Sequence, residues 1–167
     1  YLRALVLADK GREVGRQVAR IRKLVQGSFA TRFTFAEILL QDATPAVHRD
    51  LVQQVLQGAA KVADEPRWTA MRYLFELRCA EDKEAAKEVL DRFMDETGSI
   101  VDVNNACWYL MTEMATMGCC RGFAVALAER MLEQRDTLED FCLDTAALAM
   151  FLAGRYAEAV ELEGAAV

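Results

Sequence analysis

Around residue 154 the chain holds two apolar runs in a register that fixes how they meet. Leu143-Asp144-Thr145-Ala146-Ala147-Leu148-Ala149-Met150-Phe151 precedes the turn Gly154-Arg155-Tyr156, and Ala157-Glu158-Ala159-Val160-Glu161-Leu162 follows it. Ala147 and Ala159, twelve positions apart across that turn, are small residues placed where two antiparallel helices come closest. Helices joined this way imply an all-α chain built from helix–turn–helix pairs.

The rest of the sequence carries the same punctuation. Leu2, Leu5 and Val6 begin a short helix ending near Gly11, and Val14, Val18, Ile21 and Val25 form the apolar stripe of a second that stops near Gly27. On another face of that second helix lies a basic ridge, Arg12, Arg16, Arg20 and Lys23, which suits either an anionic partner or plain solvation. The next helix is expected over about Thr31–Gln41. Thr44 then serves as an N-cap with Pro45 in the first helical position, where its missing N–H does no harm. His48, the sole histidine, reads as a first-turn surface residue without ligand partners.

From Pro66 a longer repeat becomes visible. Trp68, Met71, Leu74, Phe75 and Leu77 mark a helix, Glu81-Asp82-Lys83 a turn, and Ala86, Val89, Leu90 and Phe93 a second helix closed by Gly98. A middle pair begins with Asp102 as N-cap and continues through Asn104-Asn105-Ala106-Cys107-Trp108. Its second helix carries Ala124, Leu127, Ala128, Met131 and Leu132. Leu74 and Ala86 are again twelve apart, whereas Cys107 and Ala124 are seventeen apart, which implies about five extra residues near Ala115–Gly122.

These small residues at the helix crossing, with an aromatic just after the turn, resemble the tetratricopeptide repeat, whose unit is ~34 residues long. The likeness covers Pro66–Val167 as three units, following divergent helices in residues 1–65. Asn104-Asn105-Ala106-Cys107-Trp108, together with Leu143-Asp144-Thr145-Ala146 and Gly154-Arg155, also looks like the repeat segments appended to bacterial thioredoxin-like proteins. The chain itself has no Cys-x-x-Cys pair, so it is not such a redox domain. The resemblance implies a short, irregular right-handed solenoid. It further implies that the first helix of each unit lines a concave face, offering Trp68, Met71, Phe75 and Arg78, then Val101, Asn104, Trp108 and Met111, then Phe141, Asp144, Leu148 and Phe151. Such a face takes a peptide or a partner helix. The competing expectation is that the N-terminal helices fill it and the aromatics are core.

Composition limits the alternatives. A 53% hydrophobic content with only two prolines suits a compact helical fold. No run reaches the ~20 apolar residues of a membrane span. Residues 1–35 hold eight Lys/Arg and two Asp/Glu, leaving twelve basic and 24 acidic residues in the remainder. That acidic majority argues against general nucleic-acid binding. The five cysteines, Cys79, Cys107, Cys119, Cys120 and Cys142, lack the spacing of a disulfide framework and suit buried free thiols in a reducing compartment. Adjacent Cys119 and Cys120 fall in an expected turn, where they suit an oxidation-sensitive role.

With two serines, one histidine, no phosphate loop and no metal-ligand pattern, neither catalysis, cofactor nor metal is expected. Three functions fit: a non-catalytic scaffold for a protein or peptide partner, a structural accessory domain of a larger protein such as a thioredoxin-like one, or a thiol-based oxidation-sensitive module. Self-association through the C-terminal end is a further expectation, because an array stopping at Val167 leaves its last helix uncovered. The compartment is open between the cytoplasm and, for a fragment of a longer chain, a bacterial periplasm.

Overall fold

The computed structural model describes residues 29–40, 45–58, 66–112 and 120–166. The basic ridge of Arg12, Arg16, Arg20 and Lys23, the two helices expected before Gly27, Thr44, and Cys119 all lie outside that set. The described residues are all-helical, without strands. They form α1 (Phe29–Leu40), α2 (Arg49–Gly58), α3 (Pro66–Phe75), α4 (Lys83–Thr97), α5 (Ile100–Thr112), α6 (Arg121–Leu132), α7 (Asp140–Leu152) and α8 (Tyr156–Ala165). Packing divides the chain into two compact units, Tyr1–Ala86 and Lys87–Val167, with the division falling inside α4.

In the first unit α3 packs on both α1 and α2. The core between them includes Phe35, Leu39, Leu40, Val52, Leu56 and Met71. Fully burying each side chain of this size contributes roughly 1.5–3 kcal/mol. A charged pair is built into this packing. Glu37 on α1 is completely buried, and Arg67 on α3 meets it in a forked arrangement, Nε to Oε1 at 3.1 Å and Nη2 to Oε1 and Oε2 at 2.8 Å each. No local pattern announces this pairing, because the partners are thirty residues apart.

Three local expectations are corrected by the structure. Pro45 does not open a regular helix directly: Pro45–His48 form a tighter 3-10 turn, and α2 starts at Arg49. That turn packs on the segment following α3, so His48 is buried, at 6% exposure, and is not a surface residue. The helix expected to run through Leu77 widens at Glu76–Ala80 into a π-helical turn. Glu81 ends it with a left-handed backbone, φ +56°, and the Asp82 N–H donates to the Glu76 carbonyl at 2.9 Å. Asp82 then caps α4, its Oδ1 accepting the Ala85 N–H at 2.9 Å.

The second unit contains α4 from Lys87 onward and helices α5 to α8. α5 packs on α6, α6 on α7 and α7 on α8, while α5 also reaches α7. Phe123, Leu110, Leu127, Met131 and Met150 lie wholly inside, and Phe93 of α4 meets the Phe123 ring edge-on at 5.6 Å between centroids. The N-cap of α5 is Ser99, not Asp102: Ser99 Oγ accepts the Asp102 N–H at 3.4 Å, and Gly98 before it has φ +69°. Asp102 sits in the first turn, where a carboxylate favours the positive end of the helix dipole.

Gly154 gives α7 its stop. At φ +79° it lets the Arg155 N–H reach the Met150 carbonyl at 2.9 Å while its own N–H reaches Phe151 at 3.0 Å, the Schellman arrangement that satisfies the last carbonyls. The chain reverses there, and Ala147 and Ala159 are both buried in the resulting α7–α8 pair. Arg155 fastens the turn from outside through Glu158 and Glu129, and this pairing raises its pKa while lowering that of Glu158.

Candidate ligand-binding groove

The surface of the second unit carries an apolar groove of about 680 Å³. Trp108 comes from α5, Asp144, Ala147, Leu148 and Phe151 from α7, and Tyr156, Ala159, Val160 and Glu163 from α8. Periodicity explains the contribution of α7. Phe141, Asp144, Leu148 and Phe151 follow one another at three, four and three positions and so share one side of the helix, while Cys142, Ala146, Ala149 and Met150 fill the other. The turn at Gly154 then sets Phe151 beside Tyr156, with ring centroids 5.4 Å apart and planes inclined at 61°.

Much of this apolar surface is open. Trp108 is 45% exposed, Phe151 56%, Tyr156 61% and Val160 73%. Scattered exposed apolar residues are ordinary, whereas a contiguous set of large ones in a concavity is uncommon. Among the described residues, those that line it with a charge are Asp144 and Glu163.

The expected ligand-facing residues fall into three groups. Trp108, Asp144, Leu148 and Phe151 meet in the groove, and Phe141 continues the same exposed stripe. On α5 Val101 and Trp108 are exposed as expected, whereas Asn104 and Met111 are buried and their neighbours Asn105 and Thr112 are the exposed positions. Asn104 therefore supplies no handle in the open groove, and its Oδ1 has no hydrogen-bond partner among the described residues. In the first unit Trp68, Met71 and Phe75 are interior side chains of a helix covered by α1 and α2. Arg78 is exposed but donates to the Leu40 carbonyl.

Tyr156, Val160 and Glu163 were not among the expected lining residues. The repeat pattern assigns ligand contacts to first helices, and α8 is the second of its pair. The available signal was that α8 alternates alanines with larger residues, so Val160 lies off the buried line of Ala159 and Leu162.

The described cysteines lie in the interior. Cys79, Cys107, Cys120 and Cys142 are all buried. Burial pushes the Cys107 thiol up to about 12 and Cys79 up to about 11, the latter despite the opposing charges of Arg78 and Arg49. Burial and then the nearby Glu139 raise Cys142. Two thiols also donate to carbonyls, Cys107 to Ala124 at 3.2 Å and Cys79 to Pro45 at 3.3 Å. Cys120 is buried immediately before α6, which removes it from the accessible turn expected for it.

Among the described residues no group of three or more His, Cys, Asp or Glu is arranged to hold a metal ion, and no helix is long and apolar enough to cross a membrane. Comparison with protein-family models, with curated proteins and with solved structures finds no match to this chain.

Proposed function

We propose that the chain is a non-catalytic protein-interaction scaffold whose binding surface is the groove formed by α5, α7 and α8. The observation that carries this reading is the convergence of Trp108, Leu148, Phe151, Tyr156 and Val160 in one open concavity. Helix packing in the second unit suits tetratricopeptide-like pairing. α5 and α6 form one pair, α7 and α8 the next, and contact between the two first helices, α5 and α7, matches a superhelical stack. On this reading the ligand is a peptide or partner helix, neither nucleic acid nor membrane.

The first unit favours a supporting role. Its aromatic ladder faces inward, so it acts as an architectural block while the second unit carries recognition. A pull-down from source lysate with the intact chain, alongside the Trp108→Ala, Phe151→Ala double variant, tests the assignment. The scaffold reading expects a partner that the folded double variant loses. Retention of every captured protein by that variant contradicts it.

A further inference from the structure

The three helices that build the groove share one property of charge. α5, α7 and α8 contain no Lys or Arg, and they carry Asp102, Asp140, Asp144, Glu158, Glu161 and Glu163. Glu158 is neutralised by Arg155 and Glu161 by Arg135. Asp144 and Glu163, the two that line the groove, have no ion pair among the described residues. An apolar concavity thus holds two uncompensated carboxylates.

We infer that the groove takes a basic amphipathic helix, its apolar face on Trp108, Leu148, Phe151 and Val160 and its Lys or Arg residues against Asp144 and Glu163. This rests on the reading of the groove as a binding site. Each half of the occupant is required by a different part of the surface. The apolar floor gains from burial of apolar area. A purely apolar occupant would strip water from the two carboxylates without replacing it, which disfavours the complex, whereas flanking cations compensate that loss. The helical form follows from spacing. The exposed α7 stripe repeats at three and four positions over Phe141–Phe151, the period with which another helix presents its own anchors. No strand edge exists among the described residues to pair with an extended peptide.

The same charges weigh against other occupants. A second copy docking by two-fold symmetry sets this acidic surface against itself. Phosphates of nucleic acid or of an anionic membrane meet two negative charges and, among the described lining residues, no cation.

The test is fluorescence anisotropy with two labelled peptides of about 16 residues that share leucines at i, i+3, i+4 and i+7. One carries lysines beside the leucine stripe and the other glutamates, and each is titrated with the full chain. The lysine peptide is expected to bind about tenfold more tightly or better, the sum of two exposed ion pairs gained against two like-charge contacts. Salt should erode that advantage, and the Asp144→Asn, Glu163→Gln double variant should remove most of it. Equal affinities, or a preference for the glutamate peptide, with binding abolished by Val160→Asp, overturn the basic preference while leaving the groove as a binding site. Binding by neither peptide, or binding untouched by both Val160→Asp and Phe151→Ser, overturns the groove itself. At 73% exposure Val160 accepts a carboxylate without burying it, and circular dichroism verifies the fold of each variant.

Discussion

The chain's two tryptophans stand in opposite situations. Trp68, on α3 of the first unit, is 6% exposed, while Trp108, on α5 of the second, is 45% exposed. Both belong to helices with aromatic or apolar residues at three- and four-residue spacing, and the sequence reading assigns both to one ligand-facing ladder. What separates them is the neighbours each helix finds. α3 has α1 and α2 packed on it, so its ladder is interior. α5 and α7 bury their opposite sides against α6, and within their unit the outward stripe is left facing an open groove. An aromatic stripe therefore specifies that something apolar will cover it, without saying whether the cover is the same chain.

The largest effect that sharpens this comparison is chemical. At pH 8, alkylation of native Cys107 should be slower than that of an unfolded thiol by about a thousandfold, and of Cys79 by about a hundredfold, because only the thiolate reacts. Mass spectrometry of iodoacetamide-treated protein reads both. The same shifts give a pH dependence. The stability these raised pKa values contribute is complete below about 9 and is lost as pH rises through about 11 and 12, since the unfolded chain releases its thiol protons first.

Next in size are the first unit's interior contacts. Arg67→Ala removes the forked guanidinium from buried Glu37 and should cost about 3–5 kcal/mol in urea unfolding. Trp68→Ala should fall in a similar range, about 3–5 kcal/mol, through the cavity it opens. A smaller change of opposite sign is expected at the turn before α4. Glu81 holds a left-handed backbone at φ +56°, so Glu81→Gly should raise stability by about 0.5–1 kcal/mol, glycine's freedom in the unfolded chain offsetting part of the relief. Smallest of all, Trp108→Ala and Phe151→Ala should each alter stability by less than about 1 kcal/mol. A loss above about 3 kcal/mol for Trp108→Ala would erase the distinction between the two tryptophans.

Local features with local causes were legible in the sequence. The turn at Gly154 and the burial of Ala147 with Ala159 follow from glycine's access to positive φ and from small residues at a close helix crossing. The irregular seventeen-residue spacing of Cys107 and Ala124 also proved to join two touching positions, as the thiol-to-carbonyl hydrogen bond shows. Features that depend on distant partners were not legible. The Glu37–Arg67 fork spans two helices, the π turn at Glu76–Ala80 has no compositional mark, and His48 is buried because its turn packs on that π segment. On α5 the expectation failed at Asn104 because Asn104 and Asn105 are equivalent in composition, and only packing chose which turned inward.

The most direct measurement uses the two tryptophans separately. Trp68→Phe leaves Trp108 as the sole indole, Trp108→Phe leaves Trp68, and acrylamide quenching of each is followed with and without the lysine-flanked helical peptide. The account predicts strong quenching of Trp108 in the free protein, weak quenching of Trp68, and protection of Trp108 alone when the peptide binds. Weak quenching of both tryptophans in the free protein, or peptide binding that leaves Trp108 as accessible as before, would contradict it.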